Sequence, residues 1–168
     1  MAGALRFAVG SPGLRYILLD RITHLAPPES ARGVKCVSLA DDVFADHFPG
    51  FPVMPGALIL EAMAQLAGVL LEATMRARER RDLHALLTMA DRVKFRHPVR
   101  PGDRLELEAI GERATEDGGQ AQARAVVDGK LVAEAQLSYA FVVITNPSVL
   151  AKRRAYLDIW LSGTSEAL

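Results

Sequence analysis

Cysteine is almost missing from this chain: Cys36 stands alone among 168 residues, which excludes an internal disulfide framework and suits a reducing compartment. Net charge is missing too. Twenty basic residues balance twenty acidic ones, so no global field draws in nucleic acid or an anionic membrane, and a charged partner must be met by a local patch. Met1 to Gly10 carries one basic residue, Arg6, and no unbroken apolar run before a cleavage site, so no leader is expected and the protein is read as cytoplasmic. The longest apolar stretch, Ala57 to Leu71, is interrupted by Glu61 and Gln65 and falls short of the roughly 20 residues of a membrane span. No Ser or Cys nucleophile motif and no phosphate-binding glycine loop is present. His24, His84 and His97 have no metal-like spacing with Cys36 or with carboxylates, so no metal site is expected.

What is there is half apolar and about a quarter charged, the balance of a single globular domain with a real core. Pro12-Gly13 marks a turn, and Tyr16 to Asp20 reads equally as a helical turn or an edge strand. Gly33 to Leu39 alternates as a strand does. Pro49, Gly50, Pro52 and Pro55 make residues 41 to 55 a loop without regular structure. Pro55-Gly56 then opens a long apolar helix that must be wrapped by other structure, and the charge-dense run Arg76 to Asp82 ends it. Four strand-like runs follow, over 85 to 98, 103 to 113, 120 to 127 and 131 to 143, separated by Pro101-Gly102, Asp117-Gly118-Gly119 and Asp128-Gly129. Strand, buried helix and meander imply an α+β fold, a curved antiparallel sheet wrapped around a central helix, over residues 1 to 145. Residues 146 to 168 read as a helical C-terminal extension whose apolar face needs a docking place: its own domain, a dimer partner or a pocket mouth.

The chemistry is concentrated between Asp46 and Gln65. Glu61 lies five residues into an otherwise apolar helix, where a charge costs several kcal/mol unless it is paired, solvated or protonated. Gln65, one turn later, is the natural partner, and burial favours the protonated carboxyl that a general acid needs. His47 sits in a proline-stiffened loop, and imidazole exchanges a proton near neutral pH, as a general base must. Between them, the N–H groups at Gly56 and the helix dipole suit a developing oxyanion, and a glycine lets a substrate come close. These parts together suit β-elimination of water from a 3-hydroxyacyl thioester.

The run His47-Phe48-Pro49-Gly50, Pro52-Val53-Met54-Pro55-Gly56 and Glu61-Ala62-Met63-Ala64-Gln65, with fourteen residues from His47 to Glu61, resembles the signature of bacterial 3-hydroxyacyl-[acyl-carrier-protein] dehydratases of fatty acid synthesis. Supporting similarity runs from Tyr16 through Val93 to Val99 and on to Lys130, about 130 residues, one domain in size. The resemblance implies a hot-dog fold, a homodimer or a trimer of dimers, and sites at the subunit interface where His47 of one chain, the base, meets Glu61 of the other, the acid. It implies that Gly56 holds the thioester carbonyl, that Phe48, Val53, Met54 and Leu58 line an acyl tunnel or serve as plain core, and that no cofactor is needed. Glu61, where an aspartate would suggest added isomerisation, leans toward dehydration alone. The rival readings are a hot-dog thioesterase and a non-catalytic acyl-binding protein. The chain departs from the family at Asp46, where glycine is common, over Glu72 to Leu86, and in the added tail after Val143. From Arg76 to Arg104 nine basic residues face four acidic ones, and Arg92, Lys94 and Arg96 alternate along one strand. That face is the expected docking surface for an acidic acyl carrier protein, against the plainer reading of a solvated sheet face.

Overall fold

Small side chains on the sheet and large ones on the helix decide how this chain packs. Successive strand residues point to opposite faces, and the inward positions are mostly alanine: Ala109, Ala121, Ala123, Ala125, Ala133 and Ala135 are all buried. Leu66, Leu70, Leu71 and Met63 of the central helix are buried to 1% or less and fill the space those alanines leave. Each such side chain contributes about 1.5–3 kcal/mol of burial, so the helix and the sheet are each the other's core.

The computed structural model describes residues 16–162. The Pro12-Gly13 turn, the reading of Met1 to Gly10 as free of a leader, and the last six residues of the C-terminal extension lie outside them. The elements in chain order are β1 (Arg21–Ala26), β2 (Ser30–Cys36), a short 3-10 helix (Asp42–Ala45), α1 (Gly56–Ala77), β3 (Leu83–Phe95), β4 (Arg104–Ala114), β5 (Gly118–Val127), β6 (Lys130–Val143) and α2 (Pro147–Leu161). One antiparallel sheet has the order β1-β2-β4-β5-β6-β3, with α1 lying against its concave face.

The four later strands and α1 stand where the sequence puts them, to within a few residues. Asp128 and Gly129 both take positive φ, 48° and 76°, the tight hairpin expected of that pair. Three expectations change. Tyr16 to Asp20 is neither helix nor strand; instead Asp20 ties down β2 by accepting from Cys36 N (2.6 Å) and Lys35 Nζ (3.4 Å). The strand after it, β1, is not evident in the sequence. The proline-rich loop does hold regular structure, the 3-10 helix that seats Phe44 in the core. α1 also extends to 22 residues, the length of a membrane span, but it lies inside its own sheet, and Glu61, Gln65 and Glu72 punctuate it.

At the far end of the chain, Asn146 caps α2 by accepting from Ser148 N (3.0 Å) and Val149 N (3.3 Å), with Pro147 in the first turn, an arrangement worth about 1 kcal/mol. Leu157 and Trp160 enter the core, while Val149 and Ile159 stay exposed. The helix docks on its own chain.

Candidate active site

His47 is held from three directions. Its N–H donates to Val43 O (3.0 Å), its carbonyl accepts from Val53 N (3.1 Å), and its Nδ1 lies 2.7 Å from Val53 O. A carbonyl can only accept, so Nδ1 carries the proton and Nε2 is left with a free lone pair, the form a general base requires. The loop is braced locally as well. Phe48 and Phe51 exchange backbone bonds of 3.2 and 2.9 Å around Pro49 and Gly50, and the φ of +77° at Gly50 suits a type II turn that demands glycine at its third position.

A cavity of about 340 Å³ opens beside this histidine, bordered by Val53, Met54, Gly56, Phe95 and Arg96. Gly56 begins α1, so its N–H belongs to the first turn, which no intrahelical carbonyl reaches. A Cβ here would stand 2.9 Å from the Phe95 ring, so any other residue would have to push that half-exposed ring aside. Phe48 is exposed and stacks on His47 at 4.1 Å between ring centroids. Leu58 packs against the core, and neither residue borders the His47 cavity.

Glu61 opens into a different cavity, of about 310 Å³. Five residues separate it from Gly56, which turns it by about 140° around the helix. Its Oε1 accepts from Gln65 Nε2 (2.9 Å); Gln65 in turn donates to Tyr16 O (2.9 Å) and accepts from Leu18 N (3.0 Å). The segment before β1 therefore fixes the amide that fixes the carboxylate. Tyr139 stands nearby, its hydroxyl donating to Ala64 O (2.8 Å); burial first, and then the Glu61 charge, push its phenol well above the usual range. Among the described residues, His47 and Glu61 border two different cavities of one chain.

Glu61 is only partly buried; the fully buried carboxylate of α1 is Glu72, hidden in the sequence by the basic run that follows it. Glu72, 2% exposed, receives Arg153 Nη2 (2.6 Å) and Nε (3.1 Å) from α2 and Ala85 N (2.8 Å) from β3. His84 Nδ1 lies 3.6 Å from its other oxygen, just beyond hydrogen-bond reach. Burial pushes this carboxyl up, but His84, the Arg153 charge and the bonds it accepts outweigh that and hold it below the usual carboxylate range. The signal was spacing: Glu61, Gln65, Gly68 and Glu72 follow steps of four, three and four, one polar stripe along the helix.

The basic strand carries a bulge: the register slips between Asp91 and Lys94, and Arg92 takes φ +51°. Arg92 and Lys94 face an outer groove also lined by Glu108, Glu112 and Glu134, whereas Arg96 borders the His47 cavity. Glu134 pairs with both Lys94 (3.3 Å) and Arg96 (2.6 Å), so the patch is mixed rather than basic.

A long helix gripped by one antiparallel sheet, with a histidine loop at the helix start and a carboxylate one turn in, defines a hot-dog protein. Solved structures agree in fold: a chain of the dehydratase heterocomplex ApeI:P from Xenorhabdus doucetiae (TM-score 0.62, 19% identity, 83% of this chain and 90% of that one) and a hot-dog-like protein from Thermanaerovibrio acidaminovorans (0.57, 22%, 77% and 92%). The chain belongs to the FabA-like domain family, which matches residues 12–136. Among curated relatives it is 43% identical over 128 residues to the 3-hydroxyacyl-[acyl-carrier-protein] dehydratase FabZ of Campylobacter jejuni strain 81-176, covering 76% of this chain and 88% of the relative. It is 42% identical over 125 residues to the FabZ of Bacillus velezensis, covering 74% and 86%.

Proposed function

We propose that this protein dehydrates (3R)-3-hydroxyacyl-[acyl-carrier-protein] thioesters to trans-2-enoyl thioesters in fatty acid or related lipid synthesis, in composite sites between two copies of the chain. One observation carries the reading. The His47 cavity is bordered by Phe95 and the Glu61 cavity by Leu86 and Leu87, the two ends of β3, which is an edge strand of the sheet. That edge exposes Leu86 (56%), Met89 (53%) and Phe95 (51%), and a long apolar edge is a template for pairing. Antiparallel pairing of β3 with a second β3 about a two-fold axis near Asp91 sets Phe95 of one copy beside Leu86 of the other. The two half-cavities then join, twice per dimer.

In the joined site His47 Nε2 takes the proton from the carbon next to the thioester. The Gly56 N–H holds the enolate oxygen, and Glu61 of the partner protonates the hydroxyl as the carbon–oxygen bond breaks. Water leaves, the double bond forms, and the proton on His47 returns to Glu61, so the cycle needs no cofactor. The His47 cavity is bordered by Arg96, a charge suited to an acidic carrier protein; Arg92 and Lys94 share their groove with three glutamates and contribute less. The compartment is the cytoplasm, where the exposed Cys36 stays reduced.

The test is reversible hydration of a trans-2-enoyl thioester, followed by the loss of conjugated enoyl absorbance. Wild type is expected to turn over both a carrier-bound and a pantetheine thioester; no turnover of either overturns the reading. Arg96→Glu is expected to lower kcat/KM on the carrier-bound thioester by about tenfold, a loss of about 1.4 kcal/mol, and to leave the pantetheine thioester nearly unaffected. Equal loss on both removes Arg96 from docking.

A further inference from the structure

The order of atoms in a 3-hydroxyacyl thioester gives the joined cavity a direction. The thioester carbonyl lies at Gly56, the proton is removed one carbon further on, and the hydroxyl leaves from the carbon after that, beside Glu61. Everything beyond the hydroxyl carbon, the acyl tail, therefore continues on the Glu61 side. What bounds that side is not part of the matched family domain. The match ends at residue 136, yet the Glu61 cavity is walled by Arg153 and Trp160 of α2.

The wall is fixed in place. Arg153 is clamped by two bonds to the buried Glu72, Trp160 is 6% exposed, and Tyr156 stacks on it at 6.1 Å. Because Glu72 already receives Arg153, the guanidinium presents no unanswered charge to a ligand. The surfaces left to meet a tail are apolar: Trp160, Leu86, Leu87 and the Tyr139 ring. Opposite them α1 contributes Gly68, which adds no bulk to the cavity.

We propose that α2 is the chain-length gauge of this enzyme: Trp160, from one wall, ends the space for the acyl tail, and Gly68, from the other, sets its width. This rests on the dehydratase reading. Two substitutions should act in opposite directions. Trp160→Ala opens the end of the cavity, and Gly68→Ala narrows it. The added methyl at Gly68 would meet Tyr139 Cε1 at 3.6 Å and Ala85 Cβ at 3.9 Å, ordinary contacts that the fold accepts, at a helical position where alanine is the better residue.

The experiment measures kcat/KM of the full chain for the pantetheine thioesters of crotonate, trans-2-octenoate and trans-2-dodecenoate. Trp160→Ala is expected to raise the dodecenoyl-to-crotonyl ratio at least tenfold, and Gly68→Ala to lower the octenoyl-to-crotonyl ratio about tenfold, the lower end of the scale for one methylene in an apolar pocket. Ile159→Ala, on the exposed side of α2, should leave both ratios as in wild type. Unchanged ratios in folded Trp160→Ala and Gly68→Ala proteins, with wild type active, overturn the gauge and leave the dehydratase standing. Wild type inactive on all three thioesters removes the dehydratase reading and the gauge with it. Should Trp160→Ala fail to fold, Trp160→Phe, a smaller truncation at the same position, takes its place, with a rise in the dodecenoyl-to-crotonyl ratio expected and an unchanged ratio overturning the gauge.

Discussion

Glu61→Ala and His47→Ala are each expected to lower turnover by about a hundred- to ten-thousandfold, the range for removing a positioned general acid or base. Mixed together, the two inactive chains are expected to recover activity. If each site takes its base from one chain and its acid from the other, a dimer of one His47→Ala chain and one Glu61→Ala chain holds one complete site and one lacking both groups. Random pairing makes half the dimers mixed, so co-expression should return about a quarter of the wild-type rate. A site built within one chain predicts no recovery, because every site in every pairing then lacks one group. The geometry favours recovery: His47 and Glu61 open into separate cavities of one chain, and β3 offers an apolar edge between them. The measurement is specific activity of the co-purified mixture, with the dimer confirmed by its mass in solution. Activity no higher than that of the single variants would sink the shared site while leaving the fold untouched.

The parts of the fold that could be read in the sequence are those where one physical rule acts alone. Alternation wrote out β4, β5 and β6, because each has one face on α1 and one in water. Continuous apolarity wrote out α1, because it is buried almost all round. β1 was illegible because it is a short edge strand of mixed character, Arg21 to Ala26, held by pairing with β2 rather than by its own pattern. At the site, His47, Gly56 and Glu61 stood out since a loop histidine, a helix-start glycine and a carboxylate in an apolar helix are each unusual locally. The partition of the site between two cavities depends on a rotation about α1 and on where β3 runs, which no local pattern carries. What the sequence did not carry for Arg92, Lys94 and Arg96 is their company: they share one outer face despite the bulge at Arg92, but Glu134 on the neighbouring strand answers both Lys94 and Arg96.

Arg153→Met is expected to destabilise the protein by about 3 kcal/mol, toward the low end for breaking a buried pair because the arginine is partly exposed, and to lower Tm by roughly 8 °C. Most of that is not the loss of an attraction. It is the cost of leaving Glu72, 2% exposed, with a charge answered only by Ala85 N and by the His84 ring 3.6 Å away. The double variant Glu72→Met with Arg153→Met removes both charges and is expected to recover most of the loss, since well-packed apolar residues often replace a buried ion pair without penalty. Acidity separates the cases further. The Glu72 carboxyl is held below its ordinary value of 4.5 in the folded protein, so its contribution is complete above that value and is lost as the pH falls from there through the lower folded value. Wild type should therefore lose stability below about pH 4.5 more steeply than the double variant does. Thermal melts across that range decide it: equal Tm for wild type and Arg153→Met at neutral pH would mean that α2 is held by Leu157 and Trp160 alone, and that the buried pair tethers nothing.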